Sequence, residues 1–441
     1  MSEIPEDAAS FSTSPALPAV SVPDAPAPAA AYPQWKRLLG LLWVGQVVSH
    51  VGDALFLTAI IFIAIDATGS KGAAGLVSGL KYAPAIIFGL FAGALVDRYD
   101  RRRVMLWADV LRGLAVGAIP LLHATGALGG ITLGVAVFVL AMGATLFNPA
   151  IKAMLPEFTP PEHLTRAISL FQIAEYAAFV MGPLVASLVA PRLGNIHLLS
   201  VDAATFFFSA VCIALLPRTV SRRYREESAP HKHDKDFLPL RRTIRDGFEG
   251  ALKVMRVRPI AALVLVGTLN NLVIMGLAHV AVPVLVYETL HLDLASYGST
   301  LKYFFLGMAI GSLLFWSFGK RLPKGPTILL GIVLDGLTFV PFAFCHTLEH
   351  VQWAQAFHGL VIPLIIIPRT VLVQQVVPGH LHGRAFALIN VTVFGMTALS
   401  NPLVGFLSEW VAVPTLFLWM GLLGALPGVY GLFLPNLRHT R

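Results

Sequence analysis

The stretch Gly93-Ala-Leu-Val-Asp-Arg-Tyr-Asp-Arg-Arg-Arg103 joins two long hydrophobic segments and decides the fold of this chain. Residues 73–96, which run into it, and residues 104–122, which follow it, are almost wholly apolar. A helix of about 20 apolar residues crosses the hydrocarbon core of a bilayer, and strong charges are kept out of that core. The stretch therefore predicts a tight basic turn between two membrane helices, at one surface of the membrane.

The composition of the whole chain is that of a protein that crosses the membrane many times. Of its 441 residues, 56% are hydrophobic and only 13% are charged, and the mean hydropathy is +0.74. A soluble globule carries more surface charge, and a backbone in contact with lipid must satisfy its hydrogen bonds internally. We therefore predict an all-α membrane protein with twelve transmembrane helices, at residues 38–65, 73–96, 104–123, 130–150, 165–190, 197–217, 259–287, 297–318, 326–345, 351–377, 384–408 and 413–434.

A basic, polar segment divides the predicted helices into two groups of six. Residues 218–258 carry 12 Lys and Arg residues and no long apolar run. A weak copy of the basic turn, Gly319-Lys-Arg-Leu-Pro-Lys-Gly325, follows predicted helix 8, where a repeat of the first half would place it, so we expect two pseudo-symmetric bundles. The predicted domains are a disordered tail rich in Ala, Pro and Ser at 1–34, a six-helix bundle at 35–217, a cytoplasmic basic linker at 218–258 and a second six-helix bundle at 259–441.

Lysine and arginine are concentrated in alternate loops. The two termini and the loops on the side of the linker hold 26 of the 32 Lys and Arg residues, whereas the opposite loops hold only Lys71 and Arg192. By the positive-inside rule we expect both termini in the cytoplasm of a bacterium, with the protein in the cytoplasmic membrane. The net charge of +8 then reflects this topology and contact with anionic membrane lipids rather than binding to nucleic acid.

Several motifs resemble the major facilitator superfamily, in particular its exporter branch of macrolide, siderophore and multidrug efflux proteins. The basic turn is similar to the Gly-x-x-x-Asp-Arg-x-x-Arg-Arg loop between the second and third helices of that family. The resemblance implies the twelve-helix major facilitator fold and a transport function without enzymatic activity. Further similar stretches are Ser49-His-Val-Gly-Asp53, Leu146-Phe-Asn-Pro-Ala150 with Leu155-Pro-Glu157, Ala174-Glu175 with Gly182-Pro183, and Gly383-Arg384.

The resemblance also implies that the basic turn latches one conformation of the protein. In the family, the carboxylate that matches Asp97 faces the positively polarised N-terminus of helix 11, which here begins near Gly383-Arg384. The arginines of the turn can bridge to acids on neighbouring helices. Basic residues that only set the topology would give the same pattern. The predicted latch comprises Gly93, Asp97, Arg98, Arg101, Arg102 and Asp109.

Ionisable residues inside the predicted helices are costly to bury and therefore mark candidate functional sites. Glu175 lies about ten residues from one end of predicted helix 5, or about 15 Å, near the membrane centre. His50 and Asp53 share one face of predicted helix 1, where an imidazole beside a carboxylate can exchange protons. The predicted residues for proton coupling or substrate binding are Glu175, Asp53, His50, Lys81 and Arg112.

The alternative is that some of these charges only hold helices together, as pairs such as Glu175 with Lys81 or Asp109 with Arg112. The resemblance places helices 3, 6, 9 and 12 outside the central cavity, which favours a structural role for their charged residues. Many drug and proton antiporters of the family carry an arginine in helix 4, but residues 134–148 contain no cation. The residues on the outer helices are Asp109, Arg112, Asp202 and Asp335.

The chain contains no Gly-x-x-x-x-Gly-Lys-Ser/Thr loop, so an ion gradient rather than nucleotide hydrolysis is expected to supply the energy. His346, Glu349 and His350 have a zinc-protease spacing but fall in a predicted loop, and we expect neither a metal site nor a cofactor. We expect a monomeric secondary transporter that exports a drug-like or siderophore-like amphipathic molecule by proton antiport. Movement of lipids or lysolipids between leaflets, and a scaffold or sensor without transport, are the alternatives.

Overall fold

The computed structural model of the chain describes residues 34–217, 249, 251–378, 381–438 and 440. Within those residues, eleven helices are long and apolar enough to cross a membrane. A twelfth long helix, Pro161–Leu193, has 33 residues, or about 50 Å, which exceeds the roughly 30 Å of the hydrocarbon core. The predicted all-α, twelve-helix fold is confirmed. The predicted tail at 1–34, apart from residue 34, and most of the predicted linker at 218–258 fall outside the described residues.

The first bundle contains six long helices. The second of them is interrupted at 81–82, because Pro84 in the first turn of its second segment has no N–H to continue the hydrogen-bond ladder. The helices are α1 (Trp35–Thr68), α2 (Lys71–Leu80 and Ala83–Arg98), α3 (Arg101–Ala124), α4 (Gly130–Phe158), α5 (Pro161–Leu193) and α6 (Asn195–Ala214).

The second bundle also contains six long helices. The seventh helix includes two wider π-helical turns on either side of Pro283, at Leu277–Ala281 and Leu285–Thr289. The tenth is interrupted before Pro363, for the same reason as α2. The helices are α7 (Arg258–Thr289), α8 (Leu294–Phe318), α9 (Lys324–Phe344), α10 (Leu348–Val376), α11 (His382–Trp410) and α12 (Val413–Leu432).

Helix packing follows the same scheme in both bundles. In the first, α1 packs on α5 and α6, α3 packs on α4 and α6, and α2 packs on α4. In the second, α7 packs on α11 and α12, α9 packs on α10 and α12, and α8 packs on α10. The bundles meet where α2 packs on α11 and where α5 packs on α8. Since α2 corresponds to α8 and α5 to α11 in the two bundles, these two interfaces are equivalent. This equivalence is the pseudo-two-fold arrangement expected of duplicated transporter halves.

The two membrane surfaces are identified by the chain connections. We call the surface at which α6 ends and α7 begins the linker face, and the opposite surface the far face. At the far face the chain turns sharply between α1 and α2: Gly69 adopts φ +63°, and its N–H bonds to the carbonyl of Ile65. The Ser70 side chain then accepts a hydrogen bond from Ala73 N and caps α2. At the linker face Asp100 caps α3 in the same way, by accepting from Arg103 N.

Candidate transport site

A cavity of about 300 Å³ lies between the two bundles. Helices α1 and α2 form its wall on one side, and α7, α8 and α10 form the wall on the other. The lining is mainly aliphatic and aromatic, with a few polar groups, which is the usual character of a pocket for an amphipathic small molecule. The polar or aromatic lining groups are Thr58, Ser78, His279, Tyr297, Phe304, Phe305, Gln355 and His358.

An arginine and two aspartates form an ion pair network beside this cavity. Nη2 of Arg112 on α3 lies 2.8 Å from both carboxylate oxygens of Asp53 on α1, and Nη1 lies 3.3 Å from Oδ1 of Asp109, one turn earlier on α3. The guanidinium also lies over the ring of Phe206, 3.9 Å from its centroid. This contact of one guanidinium nitrogen with both carboxylate oxygens is a charge-assisted hydrogen bond of the strong kind. Arg112 therefore ties α1 to α3 and packs against α6.

Four further ionisable groups approach this network. Lys81 on α2 lies within electrostatic range of Asp53 and of Asp202 on α6. His50, one turn before Asp53, lies within range of Asp53 and of Glu175 on α5. The five residues that the sequence singled out for coupling or binding therefore lie in one region of the first bundle. We call the set the buried charge cluster; it consists of His50, Asp53, Lys81, Asp109, Arg112, Glu175 and Asp202.

The cluster contains more acidic than basic groups. Arg112, Lys81 and His50 are its three basic side chains, whereas Asp53, Asp109, Asp202 and Glu175 supply four carboxyl groups. Uncompensated negative charge is expensive in a low-dielectric interior, so these carboxyl groups depend on the few basic side chains beside them. Among the described residues, no hydrogen-bond partner contacts Oδ2 of Asp109, Oδ2 of Asp202 or Nε of Arg112.

Accessibility distinguishes the members of the cluster. The side chain of Asp53 is 35% exposed, whereas those of Arg112 and Asp109 are 7% and 0% exposed. Asp53 is thus the most accessible carboxylate of the network. Its neighbour in the chain, Ala54, lines the central cavity, as does Thr58 one turn further along α1. A change of charge at Asp53 therefore takes place one residue from the wall of the central cavity.

The basic turn contacts its own bundle at the linker face. Arg101 donates to Oε1 of Glu157 (2.6 Å) and to the carbonyl of Ala153 (2.8 Å) on α4. Arg102 donates to the last carbonyls of α6, including that of Ile213 at 3.1 Å. Asp109 lies about 12 Å along α3 from Arg101 and bonds to Arg112. The side chains of the other latch residues, Gly93, Asp97 and Arg98, fall outside the described part of the structure, and the latch function stays a prediction.

The far face carries polar contacts between the bundles that the sequence did not predict. Lys71 Nζ at the start of α2 lies 2.9 Å from Oε2 of Glu288 on α7 and 3.0 Å from the carbonyl of Ser408 on α11. Oε1 of Glu409 accepts from Gly72 N at 3.0 Å and from the Ser70 hydroxyl. We call these residues the far-face lock; they join α2 to α7 and α11. In sequence, the only signal was that Lys71 is one of two cations in the far-face loops.

Close helix packing lies beneath the far-face lock. A Cβ atom at Gly75 on α2 would lie 2.5 Å from the carbonyl oxygen of Asn401, and one at Gly405 on α11 would lie 2.6 Å from that of Lys71. Ser78 Oγ accepts a hydrogen bond from Nδ2 of Asn401 across the same interface, at 2.9 Å. Only glycine allows the two backbones to approach this closely. In this conformation the bundles are closed against each other at the far face.

Known proteins resemble the chain along most of its length. Macrolide efflux protein A of Streptococcus pyogenes is 27% identical over 370 residues, which cover 81% of this chain and 86% of that protein. The multidrug efflux pump Tap of Mycolicibacterium fortuitum is 25% identical over 406 residues, or 90% of this chain and 96% of the pump.

Solved structures share the fold at low sequence identity. The nucleoside transporter NupG superposes with a TM-score of 0.73 at 12% identity, over 90% of this chain and 98% of that one. A bacterial homologue of the human lysosomal transporter Spinster, in an inward-facing and unoccupied conformation, gives a TM-score of 0.66 at 15% identity, over 92% of this chain and 96% of that one.

The sequence profile described as "Major Facilitator Superfamily" matches residues 42–280 and residues 264–441. Together the two matches cover both bundles. Proteins of this family are transporters rather than enzymes, and the helices of this chain make it a multi-pass membrane protein. The chain belongs to the major facilitator superfamily.

Proposed function

We propose that this protein exports amphipathic small molecules, drug-like or siderophore-like in character, and that proton entry drives the export. The observation that carries the proposal is the contact of the accessible Asp53 carboxylate with Arg112, next to the wall of the central cavity. Relatives named as macrolide and multidrug efflux proteins support export as the direction and amphipathic compounds as the cargo.

Protonation of Asp53 is the step that links the ion to the cargo. A proton on Asp53 neutralises its carboxylate, removes its charge attraction to Arg112 and so weakens the contact between α1 and α3. Arg112 keeps its contact with Asp109, so the guanidinium is not left without a counter-ion. Movement of α1 then alters the cavity at Ala54 and Thr58. Protonation and cargo occupancy therefore act on the same helix.

The energy available is sufficient for a large accumulation ratio. Each charge that moves down a membrane potential contributes about 2.3 kcal/mol per 100 mV, and about 1.4 kcal/mol corresponds to a tenfold concentration ratio. The setting we propose is the cytoplasmic membrane of a bacterium, with both termini in the cytoplasm and the protein acting as a monomer. The linker face is then the cytoplasmic face, and the far-face lock closes the outer side.

Replacing Glu175 with Gln is expected to abolish gradient-driven efflux while the protein remains folded in the membrane. The substitution keeps the shape of the side chain but removes a proton-accepting group of the buried charge cluster. The measurement is efflux of a fluorescent amphipathic anion, for example anilinonaphthalenesulfonate, from proteoliposomes with and without an imposed pH gradient.

Glu162→Gln is the matched control, because Glu162 is exposed in the first turn of the same helix. It should transport at the wild-type rate. Undiminished gradient-driven transport by Glu175→Gln would refute the role assigned to Glu175. Movement of a labelled lysolipid that is indifferent to clamped pH, in the absence of dye efflux, would instead favour a lipid transporter.

A further inference from the structure

A second cavity lies wholly inside the second bundle. Its volume is about 170 Å³, and its walls come from α7, α9, α10 and α11. It shares no lining residue with the central cavity. Because a water molecule occupies about 30 Å³, the space holds a small polar head group with a few attached carbon atoms, rather than a whole drug-sized molecule, which needs about 300 Å³ or more.

Arg369 on α10 lines this cavity. It lies seven residues, about 10 Å along the helix, from the linker-face end of α10 at Val376. No carboxylate among the described residues forms an ion pair with it. By contrast Arg112, which is buried inside the first bundle, contacts two aspartates. Arg369 is therefore a membrane cation whose counter-ion the described part of the chain does not supply.

The remaining polar groups of the cavity do not replace that counter-ion. Asp335 on the α9 wall is 3% exposed and forms no ion pair with Arg369; its Oδ1 lies 3.5 Å from Nδ1 of His358 and has no hydrogen-bond partner among the described residues. Asn270 donates to the carbonyl of Gly424 on α12, at 3.1 Å. Asn271 and Thr392 also line the cavity and offer further hydrogen bonds; most of the rest of the lining is Leu, Ile, Val and Met.

We propose that this cavity is an anion subsite of the transporter, in which Arg369 binds the acidic group of an amphipathic cargo, such as a carboxylate, sulfonate or phosphate. A guanidinium pairs with such groups through parallel hydrogen bonds. The aliphatic lining accommodates the carbon atoms next to the acid. The proposal rests on the transport function above and narrows it to cargo that carries a negative charge. A cationic amphiphile would instead be repelled from Arg369.

The first experiment measures the electrostatic potential of the cavity without reference to any cargo. Cys212 and Cys345 are replaced with Ala, and Thr392, on the α11 wall, is replaced with Cys. Purified protein in zwitterionic nanodiscs then reacts with an anionic and a cationic methanethiosulfonate of equal size. With Arg369 present, the anionic reagent should be favoured, and Arg369→Gln should lower the ratio of the two rates by about tenfold or more. Arg369→Lys should keep most of the preference for the anionic reagent, because lysine also carries a positive charge.

Lys302→Gln is the matched control, because Lys302 lies in α8 beside Tyr303, 5.3 Å from its ring centroid, and does not line the cavity. It should leave the ratio unchanged. A cavity that neither reagent reaches, or a ratio that Arg369→Gln does not change, would overturn the proposal. Repeating the assay with phosphatidylglycerol in the nanodiscs distinguishes a cargo site from a lipid site. If this lipid abolishes the dependence of the reagent ratio on Arg369, the subsite binds a lipid head group, and the assignment to cargo is overturned.

The second experiment measures transport in proteoliposomes with three probes that share a naphthyl body and carry a carboxylate, a neutral amide or a trimethylammonium group. Arg369→Gln should reduce transport of the carboxylate at least about tenfold and leave the neutral probe unchanged. Equal loss for all three probes, or no loss, would contradict an anion subsite. If the wild type moves no probe under a pH gradient while the reagent ratio still depends on Arg369, the subsite stands and the proposed proton-driven export fails.

Discussion

Replacing Asp53 with Asn is expected to lower proton-driven export by about 100-fold or more, while cargo exchange without a gradient continues. The amide keeps the size of the side chain and leaves Arg112 its contact with Asp109 at 3.3 Å, so the fold is retained. It removes the accessible carboxylate that contacts Nη2 of Arg112 through both oxygens. A 100-fold loss corresponds to about 2.7 kcal/mol at about 1.36 kcal/mol per tenfold change in rate.

The measurement compares pH-gradient-driven efflux with counterflow of labelled cargo at equal pH on both sides. Asp293→Asn is the matched control: Asp293 caps α8 by accepting from Ser296 N at 2.9 Å, and Asn caps a helix about as well as Asp. It should behave as the wild type in both assays. Wild-type gradient-driven export by Asp53→Asn would show that proton coupling does not pass through this carboxylate.

A bulky residue at Gly75 is expected to prevent closure of the far face and to reduce transport by about tenfold or more. Leucine at this position overlaps the Asn401 carbonyl and the backbone of Gly405, 2.5 Å and 3.0 Å from the Cβ atom. The overlap arises only when the two bundles are closed at this face, so Gly75→Leu should favour the conformation in which they are apart. Each bundle, which packs mainly on itself, should keep its fold.

The readout is labelling of a cysteine at Leu301 in the central cavity by an impermeant maleimide added at the far face, with Cys212 and Cys345 replaced by Ala. Labelling should be faster in Gly75→Leu than in the parent protein. Gly89→Leu is the matched control, since Gly89 lies on the same helix and has no atom within 4 Å of a Cβ placed there. Equal labelling and transport in both variants would show that the α2–α11 contact does not control access.

The sequence was sufficient to predict the helices because the membrane imposes a strong and local requirement. Each span needs about 20 apolar residues, and this can be read along the chain. Boundaries were less certain: α4 continues to Phe158, eight residues beyond the predicted end at 150. Pro149 and Pro156 lie inside this helix without ending it, because tertiary packing at the linker face supports the last turns, as in the contact of Arg101 with Glu157.

The sequence also indicated which residues enter the candidate site, because an ionisable group inside an apolar helix is rare and costly. It did not indicate their partners. A pair of Arg112 with Asp109, three residues away on the same helix, was the structural alternative; that contact exists, but the shorter one joins Arg112 to Asp53, 59 residues earlier. Asp202 was expected to be structural, and it lies within electrostatic range of Asp53, Lys81 and Arg112.

The sequence by itself determined the number of helices, the division into two bundles and the set of buried charges, since these follow from hydrophobicity along the chain. Only the tertiary structure decided which charges meet, that Lys71 contacts Glu288 across 217 positions, and that Arg369 faces a cavity with no acid paired to it among the described residues. The physical reason is that these contacts depend on the rotation and depth of each helix against its neighbours. Those are set by close packing of small residues such as Gly75 and Gly405, which hydrophobicity does not reveal.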